Sequence, residues 1–534
     1  MNALRAALPL AFFLGATTLA AAGGCGGDDA GGGSSSGEGQ DATLPDGAGG
    51  SDGGGGADGA SSGEGPLSPG YVDRDVNHLL ITGQSNSVSN GGRTDDYQAA
   101  PYYEDLSLTQ PFGNLMFGPW VAPGADPSKD ATNVGVMPLR GCDRENCRNS
   151  VYVAPSSLVP LVEGDHYFDF GTPAPGGRPY IVETVASGTA NQVSFLAKQL
   201  YGIGTRPGYP TRHDVLASLH GRSGYTYWCL RKGGCNYKPA GELKAFADGM
   251  LQVQAGKDLA AAAGKSYVVR AVAAIHGESD HYSYTDNSAE FPLDGTDGTP
   301  NAIKDYGDGL VEWQRDYEAS IKGITGQAQP VPLLVSGLSG WTDAAYSKVA
   351  VMQLAAHVKA PGKVLLVGPT YPLDGAGDCL HYSIEGERHL GEYFAKVYAH
   401  VVFGGKTWEP VRPKAITRAG AVITVKYHVP APPLTLDTTA VAQASSYGFR
   451  VMVNGAQVPI ATVAVTAPDT VTITLPTAPA GTIRLWYAMQ TLDGQECIGP
   501  QHGPRGNLRD SDATPSRLGK KLYNWGVHFD EPVP

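Results

Sequence analysis

Two hydrophobic periods divide the chain. From about residue 75 to 405, short apolar runs alternate with stretches whose apolar residues recur every three or four positions. The runs Leu79-Leu80-Ile81, Val215-Leu216-Ala217-Ser218, Val268 to Val272, Leu333-Leu334-Val335 and Val364-Leu365-Leu366-Val367 read as strands buried on both faces, since none shows polar alternation. Helical spacing connects Val193, Leu196, Ala197 and Leu200. It also connects Leu243, Phe246, Met250 and Val253, then Leu310, Trp313, Tyr317 and Ile321, then Val349, Met352 and Ala356, and finally Leu390, Phe394 and Val397.

Regular alternation of this kind predicts an α/β domain, a flavodoxin-like three-layer α/β/α arrangement with about five parallel strands, over 67–408. After Trp408 the period changes. Val422 to Val429, Phe449 to Val453, Val471 to Leu475 and Ile483 to Tyr487 are short β-rich runs, with Asn454-Gly455 as a hairpin turn, and they predict a small β-sandwich over 409–490. Its expected role is to buttress the first domain, with carbohydrate binding as the rival role. The tail, 491–534, is expected to pack back on the α/β domain. Between Ser85 and Pro179 the chain is rich in Pro and Gly and too long for a plain connection. It is expected to form elaborated loops over the site, with Tyr102, Tyr103, Phe112, Phe117 and Trp120 either stacking on sugar rings or packing among themselves.

Composition changes this picture mainly at the N-terminus. Residues 1–24 carry Arg5 and an apolar, Ala-rich run that is too short to span a membrane, and so read as a secretory signal. Ala22-Gly23-Gly24-Cys25 resembles a bacterial lipoprotein cleavage box, which makes Cys25 the expected lipidation site and the membrane a partner through that anchor only. Ordinary secretion with cleavage nearby is the alternative. Residues 25–66 are mostly Gly, Ser, Ala and Asp, a composition that cannot bury enough apolar surface to order itself and predicts a flexible tether. Its eight acids account for much of the net charge of −13 and leave −5 for the rest, so nucleic acid is not an expected partner.

With 534 residues and 41% hydrophobic content the chain exceeds one ordinary core, consistent with two folded domains plus unstructured sequence. Apart from Cys25 there are six cysteines, an even number in an exported chain. Cys142 with Cys147 and Cys229 with Cys235 are spaced to close small loops, which leaves Cys379 for Cys497. No Cys-x-x-Cys or paired-histidine spacing supports a zinc site, and neither metal nor cofactor is expected.

Candidate chemistry gathers at strand ends. Thr82-Gly83-Gln84-Ser85-Asn86 follows the first apolar run as a turn carrying Ser85, at the end of a parallel strand where binding groups collect. A serine hydroxyl attacks a carbonyl only when a base takes its proton and a carboxylate orients that base. Asp378-Cys379-Leu380-His381, after the last apolar run, offers both: His381 as base and Asp378 as its orienting acid.

Gly83-Gln84-Ser85-Asn86, His276-Gly277-Glu278-Ser279-Asp280 and Asp378-x-x-His381, in that order, resemble the SGNH-hydrolase superfamily, and within it the sialate O-acetylesterase-like and acetylxylan-esterase-like carbohydrate esterases. The resemblance covers about 75–405. It implies that Ser85 is the nucleophile of a Ser-His-Asp triad, and that the Ser85 N–H and a glycine N–H after the second strand stabilise the oxyanion. Gly224 is the best placed match for that glycine, with Gly221 second. One departure stands out: His276 occupies the place where the family commonly has a glutamine that helps hold the oxyanion, and a histidine can serve only through a protonated nitrogen. Packing at a strand end is the other reading of His276. Glu278, Tyr225 and Trp228 are candidate substrate-binding residues. The expected function is an exported, lipid-anchored serine esterase that removes O-acetyl or other short acyl groups from carbohydrate. The alternatives are a non-catalytic surface carbohydrate-binding protein on a hydrolase fold and a short-chain lipid or acyl esterase.

Overall fold

The computed structural model describes residues 65–88, 110–118, 139–140, 151–152, 154–163, 167–168, 180–181, 184–234, 244–282, 291–340, 348–377, 379–489 and 498–534, all within one compact unit, Ala60–Pro534. Cys25, Cys142, Cys147, Cys235, Asp378 and Cys497, the signal segment and nearly all of the tether lie outside the described residues.

A seven-stranded mixed sheet forms the centre. Its strands in chain order are β1 (Val76–Gly83), β2 (Leu115–Phe117), β3 (Leu158–Pro160), β4 (Val215–Leu219), β5 (Tyr267–Ile275), β6 (Leu333–Gly337) and β7 (Val364–Pro369). They lie side by side as β7-β6-β5-β1-β4-β2-β3, and every neighbouring pair is parallel except β2 with β3. From β1 the chain winds first to β4 on one side and later crosses to β5 on the other. The carboxyl ends of β1 and β5 therefore mark the switch point at which open α/β sheets form their binding crevice.

Five helices cover this sheet: α1 (Val185–Tyr201), α2 (Ala245–Ala262), α3 (Tyr306–Thr325), α4 (Val349–Lys359) and α5 (Ile384–Tyr398). Successive residues of a strand face opposite ways, and the packing follows that rule. Leu79 and Ile81 pack with Val193 of α1 and Phe394 of α5, whereas Leu80 packs with Val253 of α2 and Leu310 and Trp313 of α3. Burial on both faces explains why these strands read as continuous apolar runs.

The expected loop system after Ser85 differs in part from what forms. Two of its segments, β2 and β3, extend the sheet beyond β4, and Phe117 packs with Val76, Leu216 and Ala260 in a satellite core. Both strands are three residues long, too short for a periodic signal to emerge. Tyr102, Tyr103 and Trp120 lie outside the described residues.

After Trp408 there are two four-stranded antiparallel sheets. The first runs β8 (Arg412–Ala419), β9 (Val422–His428), β13 (Thr470–Thr474), β12 (Thr462–Ala467). The second runs β11 (Ala456–Val458), β10 (Phe449–Val453), β14 (Ile483–Tyr487), β15 (Phe529–Val533). Alternate residues of both, including Ile423, Val425 and Ile473 from the first and Val451, Leu485 and Phe529 from the second, share one core with Leu366 and Tyr371 of the α/β part. Asn454-Gly455 turns between β10 and β11, both residues at positive φ. The tail does two things. Its last strand, β15, completes the second sheet, and an earlier stretch lies along α5, where Lys396 Nζ reaches Asn524 Oδ1 at 2.5 Å and Tyr393 OH donates to Tyr523 O at 2.9 Å.

Candidate active site

The crevice between β1 and β5 is where the three motifs meet. β1 ends at Gly83 with φ of +135°, and a Cβ there would stand 2.0 Å from the Ile275 carbonyl oxygen. Only glycine lets the two strand ends run this close. Gln84 N–H donates to Ile275 O at 3.1 Å, and a single 3-10 turn, Ser85–Val88, follows, with Ser85 buried at 6% exposure. Within that turn Ser87 Oγ–H donates to Gln84 O at 2.6 Å.

Asn86, fully buried, joins this turn to the other two motifs. Its Nδ2 donates to Glu278 Oε1 at 2.8 Å and to Leu380 O at 3.4 Å, and its Oδ1 accepts from Tyr382 N–H at 3.2 Å. Leu380 and Tyr382 are the two neighbours of His381, so one amide holds both flanks of the histidine beside Ser85. Gln84 adds a further tie, its Oε1 accepting from Ser279 N–H at 2.8 Å. Immediately beyond His381, Ser383 caps α5 by accepting from Gly386 N–H at 3.1 Å, which fixes the loop's exit. Asp378, the expected orienting acid, lies outside the described residues.

Glu278 is 3% exposed, and burial raises its pKa, an effect opposed by the Asn86 hydrogen bond and by the nearby His381. By sequence it is a candidate substrate-binding residue. In the structure its carboxyl group is a buried anchor behind the serine turn, facing Asn86 and His381.

His276 follows β5 and is fully enclosed. Its Nε2 lies 3.0 Å from Tyr225 O and 3.5 Å from Asp280 Oδ2, both acceptors, so Nε2 carries a ring proton; Nδ1 lies 3.0 Å from Tyr306 OH, whose single proton is shared between Nδ1 and the His276 carbonyl 3.2 Å away. Burial lowers its pKa to about 4, and the Tyr225 carbonyl opposes that shift. Both ring nitrogens thus have protein partners in this structure. Its arrangement is that of a packed strand-end residue that ties the loop after β4 to β5.

That loop approaches Ser85 through Gly221. A Cβ on Gly221 would stand 2.1 Å from Ser87 Oγ and 2.9 Å from Gly83 O, and the next N–H, of Arg222, donates to Gly83 O at 2.9 Å. Gly224 sits three residues on, exposed at the loop tip with φ of +74° and open space around it. Between the two glycines, Gly221 is the one held against the serine turn. Arg222 steadies the loop from behind: Nη1 donates to the carbonyls of His220 and Gly221 at 3.2 and 2.9 Å, while Nη2 pairs with Asp248 of α2 at 3.3 Å. Tyr225 is half-buried and Trp228 is exposed.

Cys379 and Cys229 are each disulfide-bonded. Ile498 N–H donates to Cys379 O at 3.3 Å, so the C-terminal segment lies against the His381 loop. Among the described residues no cluster of His, Cys, Asp and Glu has metal-binding geometry, and no helix is long and apolar enough to cross a membrane.

Asn86 and Gln84 are site residues to which the motif alone assigns no role. The signal available was a run of uncharged polar residues directly after a fully apolar strand, where buried side chains must find partners.

No family model and no curated protein matches the chain. Among solved structures, it is similar to a carbohydrate acetylesterase from Xanthomonas citri at 13% identity and a TM-score of 0.46, covering 85% of this chain and 80% of that one. A protein from Arabidopsis thaliana aligns at 16% identity and a TM-score of 0.32, over 60% of this chain and 97% of that one.

Proposed function

We propose that the chain is a serine esterase that removes short acyl groups, O-acetyl above all, from carbohydrate. The observation that carries this reading is the Asn86 junction, which seats the Ser85 turn between both neighbours of His381 and the buried Glu278. In this reading the fold is that of an SGNH hydrolase joined to a small β-sandwich that buttresses it. His381 takes the Ser85 hydroxyl proton as Oγ attacks the ester carbonyl, and Asp378 orients the imidazole. The developing oxyanion is met by backbone N–H groups at Ser85 and at the glycine loop, from Gly224 or from Gly221, which is packed against the serine turn. The His381 proton then passes to the leaving sugar oxygen, and water, activated by the same base, releases the acid and restores Ser85.

Sugar rather than lipid suits the rim of the crevice. Trp228 and Tyr225 provide aromatic surface, and the sequence from His276 to Tyr284 supplies few aliphatic side chains to hold a long acyl tail. Export and anchoring through a lipidated Cys25 belong to the same proposal. Turnover of p-nitrophenyl acetate, butyrate and octanoate tests it: activity should fall steeply with chain length, and the protein should release acetate from an acetylated glycan. Preference for octanoate would favour the lipid esterase, and glycan binding without turnover of any ester would favour the non-catalytic module.

A further inference from the structure

A second cavity lies at the opposite end of the sheet. Arg270 stands near the start of β5, six residues before His276, which places it roughly 20 Å away along the strand. It lines an opening of about 430 Å3 together with Tyr71, Gln329, Leu365, Lys406 and Trp408, among others. That volume lies in the range of small-molecule sites. Two of the lining residues are cationic and none is acidic.

Arg270 is unusual for a residue 6% exposed. Its Nε donates to Asn77 Oδ1 at 2.8 Å, its Nη2 donates to Val72 O at 2.5 Å, and the guanidinium sits 5.1 Å from the Tyr71 ring centre. Among the described residues it forms no ion pair and makes no further hydrogen bond, which leaves its remaining N–H groups without a protein acceptor. The charge is felt by its neighbours: it opposes the burial-driven rise in the pKa of Tyr71 and adds to the lowering at His213. Burying a guanidinium without a carboxylate is costly, and the fork of unused donors matches a carboxylate in geometry as well as sign. The rest of the lining is mostly apolar and aromatic, which suits a hydrophobic body behind the charged group.

We propose that this cavity binds a small organic carboxylate, its charged group on Arg270 and Lys406 and its apolar body against Tyr71, Leu365 and Trp408. The site is separate from the esterase crevice, and the proposal does not depend on that activity. Calorimetric titration of the purified protein with benzoate, its neutral isostere benzamide, and glucuronate tests it. Benzoate should bind in the millimolar range or better and at least roughly tenfold more tightly than benzamide. Glucuronate, with the charge but a hydroxylated body, should bind less tightly than benzoate. Lys406→Gln, at an exposed position, should weaken benzoate several-fold while preserving the fold, Arg270→Gln should abolish binding, and Ser85→Ala should leave it unchanged. Should Arg270→Gln fail to fold, Lys406→Gln and the benzamide comparison decide. Absence of benzoate binding, equal affinity for benzamide, wild-type affinity in Lys406→Gln, or loss of binding in Ser85→Ala would overturn the proposal.

Discussion

Replacing Asn86 by alanine should damage stability and activity in a defined ratio. The amide supplies one hydrogen bond to a carboxyl oxygen, at 2.8 Å, and two longer ones to backbone groups, at 3.2 and 3.4 Å. A bond to a charged partner contributes about 1.5–3 kcal/mol and a neutral one about 1 kcal/mol, with less for the longest contact. Asn86→Ala should therefore cost about 3 kcal/mol of unfolding free energy. Glu278 would lose the donor that lowers its pKa, so its carboxyl group should hold a proton to higher pH. The kinetic loss should be of similar size, about 2.7 kcal/mol, because the same bonds hold both neighbours of His381 against the Ser85 turn, and a misplacement of about 1 Å can reduce turnover roughly a hundredfold. Urea unfolding gives the first quantity, and kcat/KM on p-nitrophenyl acetate, measured where the variant is fully folded, gives the second. Gln84→Ala, which removes the single tie to Ser279 N–H, serves as the milder comparison. Asn86→Ala with stability within about 0.5 kcal/mol of wild type and unchanged kcat/KM would refute the idea that this side chain assembles the site.

Two other outcomes follow from the geometry. Gly221→Ala must displace either Ser87 Oγ or the Gly83 carbonyl, so it should destabilise the protein by about 1–3 kcal/mol and depress esterase activity further, whereas Gly224→Ala, with open space around it, should cost only about 1 kcal/mol for its positive φ; equal effects at the two positions in unfolding and rate measurements would show that the close approach does not matter. His276 is held neutral in the fold, with a pKa of about 4 against an ordinary 6.5, so below 6.5 the unfolded chain binds a proton that the folded one refuses. Its contribution is fully present above pH 6.5 and is lost as pH falls toward 4, by about 3 kcal/mol in all. His276→Gln, which keeps a donor for Tyr225 O and an acceptor for Tyr306 OH, should flatten the pH dependence of stability by about 2.4 kcal/mol between pH 4.5 and 7, as read from urea unfolding; an unchanged slope would mean that the ring is not held neutral.

The sequence was informative where burial is two-sided and motifs are local. β1, β4, β5, β6 and β7 all announced themselves as apolar runs because both faces are covered, and α3 and α5 did so through their stripes of Leu310, Trp313, Tyr317 and of Leu390, Phe394, Val397. β8 and β12 did not, since they are half-exposed and alternate weakly, and β15 contains Pro532, which argues against a strand until its position at the sheet edge is known. Within the site, the motifs gave Ser85 and His381 as candidates. What they could not give was the junction: Asn86 meets Leu380 and Tyr382 across almost three hundred residues of chain, a contact that no local period encodes. His276 shows the opposite case, a residue whose type allowed two roles until the Tyr225 carbonyl and the Tyr306 hydroxyl were seen to occupy both nitrogens.

Covalent labelling tests the central claim most directly. A fluorophosphonate probe reacts with a serine only where a base activates the hydroxyl and donors stabilise the resulting oxyanion. Incubation of the folded protein with such a probe, followed by peptide mass mapping, should place a single adduct on Ser85. The adduct should be lost in Ser85→Ala and strongly slowed in His381→Ala, with both variants folded as judged by circular dichroism. An adduct on another serine, or none on a protein that still hydrolyses p-nitrophenyl acetate, would contradict the assignment of Ser85 as nucleophile.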